Sequence, residues 1–457
     1  MRAVGISRRA VRSSRLVVTA VAALLATSVL GAASAGADAV TRPVPGFADF
    51  NGLACTSATT CTGVGGANTG TGGGEIVSVT DGVPGTPVSV PGVSVFLGVA
   101  CPTASLCVAD GIATDGTLVL DGLVQGGVQQ VLPLNVTLHD AATLACPTST
   151  TCLIFTDPNV IVVHIASDGT LSATPGAPIP AGASILAASC YSATACVAVG
   201  SVVNGGDFEG FTLPVTNGVP GTPVLVNGTF QLDAISCRST GTCLTGGRGP
   251  DVTHGVLVPV TLGGVGAVQS TGTFIAFGIG CPINSECIES GTDLALQSNA
   301  NGVVASATPL TFEGDRVTCP ATTACLVVGQ DTTFTAQVLT LSAGFSANPT
   351  SVAFAQRRYN TTSTASTVTV TNTGNAALVI SSATITGAGV AAFHITSNSC
   401  LGALAPGAHC ATTVTFRPTS DKTFTGALSY TDNAPGSPHT VTLSGRGCAV
   451  LSGPVCI

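Results

Sequence analysis

Fourteen of the 18 cysteines fall into seven pairs with one spacing, Cys-x5-Cys: Cys55/Cys61, Cys101/Cys107, Cys146/Cys152, Cys190/Cys196, Cys237/Cys243, Cys281/Cys287 and Cys319/Cys325. Such thiols could ligate metal or form disulfides. Zinc is usually held by shorter C-x2-4-C pairs that converge on one ion, whereas these pairs recur on separate units, with first cysteines 38 to 47 residues apart. A five-residue turn instead sets its flanking residues opposite each other on a β-hairpin. Cross-strand Cα separations of about 4.5–5.5 Å then lie within disulfide range. Seven local disulfides are expected, each contributing about 2–2.5 kcal/mol in the chain-entropy account. Cys400–Cys410, flanking Leu404-Ala405-Pro406-Gly407, and Cys448–Cys456 at the C-terminus bring the expected set to nine.

Catalytic chemistry is harder to assemble. Glycoside hydrolysis needs two carboxylates at a set separation, and the cysteine-repeat region holds only Glu75, Glu209, Glu286, Glu289 and Glu313 as glutamates, besides scattered aspartates. Glu286 and Glu289 flank Cys287 and read as solvated loop carboxylates. His139, His164 and His254 stand outside HxxxH and H-x-E spacing, and His139-Asp140 is a bare adjacency. Gly63-Val64-Gly65-Gly66 and Gly70-Thr71-Gly72-Gly73-Gly74 fit turns between strands; the second run lacks the Lys and helix of a phosphate loop. No catalytic, cofactor-binding or metal site is assigned, and no cofactor is expected.

The elements that carry these residues emerge from composition. Only 8% of the 457 residues are charged, against about 25% in ordinary soluble proteins, while mean hydropathy is +0.55. Arg2, Arg8, Arg9, Arg12 and Arg15 precede an uncharged apolar run, Leu16 to Gly31, and two A-x-A sites follow at 33–37. That is the anatomy of a secretory signal peptide, placed at 1–37; Ser7-Arg8-Arg9 also partly resembles a twin-arginine signal. The apolar run is shorter than the ~20 residues that span a bilayer. After cleavage, nine positive charges face 22 negative ones, a net of −13. No membrane span is expected in the mature chain, no nucleic-acid partner, and an exported, disulfide-forming environment.

The sequence around the cysteines repeats too, as in LACTSATTC, VACPTASLC and LACPTSTTC. Each unit reads as four short strands bounded by Gly, Pro, Asn and Asp, with turn signals such as TDGVPGTPVSVPG at 80–92 and TNGVPGTPVLVNG at 216–228. Four strands per roughly 40–45 residues is the period of a β-propeller blade. Seven units predict an all-β, seven-bladed β-propeller over 38–345. The last unit lacks a fourth strand, and PVPGFADFNGLAC at 43–55 matches the blade-joining segment SVPGVSVFLGVAC at 89–101 at seven of 13 positions. Residues near Ala39–Pro45 are therefore expected to complete the seventh blade beside 337–342.

Beyond residue 345 the repeats stop, and SANPTS at 346–351 reads as a linker. Strands predicted at Ser366–Val370, Ala377–Ser381, His394–Thr396, Ala411–Phe416, Ala427–Tyr430 and Thr440–Leu443 suggest an Ig-like β-sandwich over 346–447, with 448–457 as a disulfide-closed tail. TVTVTNTGNAALVI (367–380), Phe393, Cys400, LAPG (404–407), Cys410, TVTFRPT (413–419) and NAPGSPHTVTLSGRG (433–447) resemble the ASH/Hydin-like Ig family, labelled "choice-of-anchor D" in bacteria. That resemblance implies a seven-stranded sandwich used for protein interaction or extracellular display. The repeats resemble the Cys-Pro-Ser-type repeats of secreted bacterial proteins. Ser167-Asp168-Gly169-Thr170 is distantly similar to the Asp-box turns of sialidase-like propellers, without their aromatic. Sialidase chemistry would also need an Arg cluster and a Tyr nucleophile; the repeats offer Arg238, Arg248, Arg316 and Tyr191.

Together these features lead to an expected secreted, non-enzymatic binding or scaffold protein, monomeric, with an unknown protein or cell-envelope glycan as ligand. The alternatives are an extracellular propeller enzyme acting on polysaccharide and a purely structural envelope component.

Overall fold

The computed structural model describes residues 41–449 except 68–72, 125–126, 138–141, 262–263, 284–285, 293, 300–301 and 322–323, together with 451–452 and 455–456. The expected signal peptide, His139 and Gly70–Gly72 lie outside the described residues. The chain divides into two compact units with the boundary at Thr340/Leu341. No helix among the described residues is long and apolar enough to cross a membrane.

The first unit is seven antiparallel sheets, each holding one Cys-x5-Cys pair. Blade 1 runs Phe47–Cys55, Thr60–Ala67 and Gly74–Thr80, with a split outer strand at Val83–Pro84 and Val88–Val90. Blades 2 to 7 begin at Val93–Ala100, Thr143–Thr148, Ala183–Ser192, Gln231–Cys237, Ala276–Ile283 and Glu313–Ala321. The turn signals act as read. Asp81-Gly82 (φ 52° and 72°) and Asn217-Gly218 (φ 52° and 76°) take the left-handed conformation that a two-residue hairpin turn requires.

The first strands pack side by side in chain order, and that of blade 7 packs against that of blade 1, closing a ring. Thr41–Val44 supplies the missing strand of blade 7. It pairs antiparallel with Ala336–Leu339 in the register Thr41↔Leu339 to Val44↔Ala336, and Val44 is fully buried. Apolar layers lie between blades rather than within them. One joins Val44, Phe47 and Phe50 to Leu326, Val328 and Val338 across the closure, and others join blades 1–2, 2–3, 3–4, 4–5 and 5–6. Small β-branched and Gly-rich strands suit this arrangement, since both faces of each sheet are covered.

All seven Cys-x5-Cys disulfides form: Cys55–Cys61, Cys101–Cys107, Cys146–Cys152, Cys190–Cys196, Cys237–Cys243, Cys281–Cys287 and Cys319–Cys325, with Cα separations of 3.8–4.1 Å. These are shorter than the expected cross-strand spacing. Spacing alone treats the two cysteines of a pair alike, as flanks of a polar turn. The structure corrects this for the second member. Cys61, Cys107, Cys152, Cys196, Cys243, Cys287 and Cys325 are all buried, at 3% exposure or less, whereas the first cysteine of each pair is half-buried. The second cysteine opens the next strand and turns its sulfur inward. Cys61 thereby joins the closure layer, and Cys107, Cys152, Cys196, Cys243 and Cys287 join the layers that their blades share with the preceding ones. The bridges therefore pack as core groups as well as closing their turns.

The turns themselves explain their Ser/Thr content. Two residues past the first cysteine, Ser57, Thr103, Thr148 and Ser192 accept backbone N–H bonds from within the turn.

A β-bulge recurs in the first strand, four residues before its cysteine. The register slips at Asn51, Leu97, Leu186, Asp233, Phe277 and Asp315, in six of the seven blades. Opposite it, four residues after the second cysteine, stand Gly65, Gly111, Gly200, Gly247, Gly291 and Gly329. A Cβ on any of them would come within 3.0 Å of a carbonyl in or next to the first strand. Blade 3 has Thr156 there, and its first strand, Thr143–Thr148, begins beyond the bulge position.

The second unit is a sandwich. One sheet has the order Phe345–Asn348, Ser366–Asn372, His409–Phe416, Phe393–Asn398; the other is built on Leu378–Thr386, Thr423–Asp432 and His439–Cys448, with Ser351–Ala353 pairing parallel to the last. The expected linker is thus not a linker. Its residues 346–348 and 351 belong to strands at the edges of both sheets. Phe393, Phe416, Val368, Leu428 and Tyr430 fill the core between the sheets. The TNTG motif is explained by Asn372, whose amide donates to Ala376 O and Leu404 O (both 2.8 Å) and accepts from Gly344 N (3.2 Å) and Gly374 N (3.0 Å). Cys400–Cys410 is bridged at a Cα separation of 5.0 Å. Cys448 is disulfide-bonded, and the side chain of Cys456 lies outside the described residues.

Two expectations follow. Replacing Thr41–Val44 by Gly-Ser-Gly-Ser should cost the first unit about 3 kcal/mol or more through loss of Val44 burial and the ladder, seen as an earlier transition in calorimetry. Gly200→Ala should cost about 2 kcal/mol or more by overpacking, whereas Thr156→Gly should produce a much smaller shift in the same measurement.

Candidate axial binding site

Each bulge re-aims the side chain of the extra residue that it adds to the first strand. In blades 2 and 4 the bulged residues are apolar, Leu97 and Leu186. In blades 5, 6, 7 and 1 they are Asp233, Phe277, Asp315 and Asn51. Blades 5, 7 and 1 thus carry polar bulged residues and make a polar sector of the ring that includes Phe277 of blade 6, whereas blades 2 and 4 carry apolar ones.

Arg248 is the centre of the polar sector. It ends the second strand of blade 5, its Nε faces Asp233 Oδ2 at 3.5 Å, and its guanidinium lies 5.8 Å from the ring centroid of Phe277 on blade 6. Gln231 donates to the other oxygen of Asp233. Arg248 is thus braced by a carboxylate on one side and an aromatic face on another. Among the described residues neither terminal nitrogen makes a hydrogen bond, which leaves a planar two-donor fork between blades 5 and 6.

Arg316 has a different task. Its Nε donates to Asn51 O of blade 1 (2.9 Å) and its Nη1 to Phe277 O of blade 6 (3.3 Å), so one side chain on blade 7 ties both neighbours. Asn51 Nδ2 extends the chain of links by donating to Phe96 O of blade 2 (2.9 Å).

Other charges are buried away from the axis. Glu289, expected as a solvated loop carboxylate, is instead fully buried on the second strand of blade 6. Closeness to Cys287 in sequence suggests a turn; strand pairing puts the residue inside, beside the buried Arg238 of blade 5. Burial lowers the pKa of the Arg238 guanidinium, and the charge of Glu289 opposes that shift. The side chain of Glu286 lies outside the described residues. In blade 2, Asp121 is fully buried between Val119 and Leu123, with no hydrogen bond to either oxygen among the described residues. Burial raises its pKa to about 7.

The remaining sequence candidates do not converge. Glu75 is buried and accepts from Ser89 (3.0 Å), Glu209 accepts from Asn204 (2.9 Å), and Glu313 opens the first strand of blade 7. His164 is exposed beside Thr174, and His254 pairs with Asp251 on an exposed loop of blade 5. Tyr191 packs into the layer between blades 4 and 5 rather than at the axis. Asp168 caps its own turn by accepting from Thr170 N (2.9 Å), and Asp115 accepts from Thr117 Oγ1 (2.6 Å) and Thr117 N (2.9 Å); these bonds lower both carboxyl pKa values. Gly63–Gly66 lie within the second strand of blade 1. Among the described residues there is no group of three or more His, Cys, Asp or Glu able to hold a metal. Sequence reasoning misses the Asp233–Arg248–Phe277 cluster. Its signal is a column four residues before the first cysteine whose chemistry varies while its flanks repeat.

The fold and these links define a disulfide-stapled β-propeller joined to an Ig-like module. Residues 343–448 match the HYDIN/CFA65/VesB-like Ig-like domain family. No curated protein matches the chain. Among solved structures, similarity is found to a streptogramin B lyase (11% identity, 66% of this chain and 97% of that one, TM-score 0.45). It is also found to the β-propeller domain of Myceliophteria thermophila Cps50 (Swd1) (8%, 65% and 99%, TM-score 0.47) and to YCF48 bound to D1 peptide (12%, 66% and 95%, TM-score 0.47).

Asp121 gives a pH dependence with a definite sign. Its folded-state pKa is raised to about 7 from 3.8, so between those values the folded chain holds a proton that the unfolded chain has released. Stability should fall as pH rises through this window, by up to about 1.4 kcal/mol per unit, and level off above it. Asp121→Asn should flatten that part of the stability–pH profile measured by denaturant titration.

Proposed function

We propose that this protein is an exported, non-enzymatic binding protein that takes its ligand at the polar sector of the propeller axis, with the Ig-like unit as a second interaction module. The observation that carries this reading is the Arg248 fork, held rigid by Asp233 and Phe277 with two donors left for a partner. A planar acceptor such as the carboxylate of an acidic cell-envelope glycan or of a protein matches that geometry. Eight described disulfides fit an oxidising environment outside the cytoplasm.

The charged groups favour binding over catalysis. Asp233 is engaged by Arg248 and Gln231, Arg316 by three backbone carbonyls, and Tyr191 packs into the layer between blades 4 and 5. The test is a screen of the mature protein against acidic and neutral glycans and by pull-down. Arg248→Ala should weaken capture of a carboxylate-bearing ligand at least about tenfold, and Arg248→Lys should restore only part of it. Equal binding by parent and Arg248→Ala, or turnover of a polysaccharide by the parent, would remove the proposal.

A further inference from the structure

Within the Ig-like unit, strand Thr423–Asp432 returns as His439–Cys448 through a six-residue loop, 433–438. The two residues that flank this loop hold it. His439 Nδ1 lies 2.9 Å from Asp432 Oδ2, and Nε2 lies 3.1 Å from Pro435 O. The Asp432 side chain is fully buried and that of His439 is 21% exposed, so water competes weakly for either contact. Asp432 Oδ1 accepts from Ala434 N (2.8 Å), and Ser437 Oγ accepts from Asp432 N (2.9 Å). The imidazole also stacks on Phe345, with centroids 4.3 Å apart and planes 7° from parallel. Phe345 begins the strand Phe345–Asn348, which opens the sandwich.

The hydrogen-bond inventory fixes what this arrangement asks of the histidine. An ionised carboxylate and a backbone carbonyl can only accept. Both ring nitrogens must therefore carry hydrogen, and only the imidazolium does. The neutral ring would turn one lone pair toward an acceptor. The carboxylate holds the Nδ1 proton more strongly than the carbonyl holds its own, so the proton lost is the one on Nε2, facing Pro435. We propose that Asp432 and His439 form a proton-operated latch, closed with His439 charged, that fastens loop 433–438 and the strand Phe345–Asn348 to the sandwich.

Among the described residues of the elements that pack here, no other group disturbs this assignment. Tyr430 stands opposite His439 in the strand pairing, but burial raises its phenol pKa, and it stays neutral through the histidine range. The loop and the strand Phe345–Asn348 contain no titratable side chain, and neither does Leu378–Thr386 in the same sheet. The sign follows from the donors: the latch needs both ring protons, so it is closed on the acid side and opens when rising pH removes one of them.

The test uses the whole protein. Long-range ¹⁵N–¹H spectra recorded across a pH series should show both His439 ring nitrogens protonated at its acid end and Nε2 without its proton at its alkaline end. Over the same range, amides of 433–438 and 345–348 should exchange at least about five-fold faster than intrinsic rates account for. His439→Gln should abolish this pH response, whereas His394→Gln, at an exposed histidine of the same unit, should keep it. Protection that does not change with pH in the parent, a response that survives in His439→Gln, or an acid-form His439 with only one protonated nitrogen would each overturn the latch.

Discussion

Seven sheets can share one axis only if their innermost strands come into backbone contact, and the first unit depends on that approach. Three residues before the first cysteine, a Cβ on Gly52 would lie 2.7 Å from Val99 N, and one on Gly278 would lie 2.7 Å from Arg316 Cα and Val317 N. Side-chain volume at these points would push neighbouring blades apart. The bulge four residues before the cysteine and the glycine opposite it follow from the same crowding: the strand must shed a residue from its ladder to curve past its neighbour. Arg316 occupies the corresponding position in blade 7, and its side chain spans the neighbours on either side.

This constraint gives the low charge of the chain a physical meaning. Each sheet packs between neighbouring blades, so most positions must be small or apolar, and a charge placed inside needs a partner or is neutralised. Arg238 and Glu289 bridge blades 5 and 6 in a buried setting, where a lone charge would be costly. Asp121 has no such neighbour in its apolar layer, and it answers burial by keeping its proton. Arg248, Asp233 and Phe277 share a partly open space between blades 5 and 6.

Much of the fold was legible because cysteine spacing and Asp-Gly or Asn-Gly turns are local signals. The closure strand was readable as well, since the segment entering blade 1 copies the segment entering blade 2. What stayed hidden depends on partners distant in sequence. The spacing of Cys107 or Cys243 announces a bridge, yet not that its sulfur fills a layer against the blade before it. Residues 346–351 look like a linker by composition, but their backbone completes sheet edges that form only when the sandwich does. A bulge is a relation between two strands, and nothing in Asn51 or Asp233 alone announces one. Arg248 and Phe277 meet because adjacent blades meet, and the paired acceptors around His439 arise from a loop folding back on its own flanks.

Every Cys-x5-Cys bridge spans a sequence separation of 6, so none crosses from one blade to another. Covalent bonds strengthen each hairpin and leave the circle itself open to mechanical load. The chain enters at Thr41 and leaves beyond Leu339, and those two residues face each other in the closing pair. A pull on the two flanks of the unit therefore acts at one end of this ladder and peels its bonds in succession rather than shearing them together. Under tension the ring has one seam, and it gives way there while the disulfide-bonded hairpins remain intact.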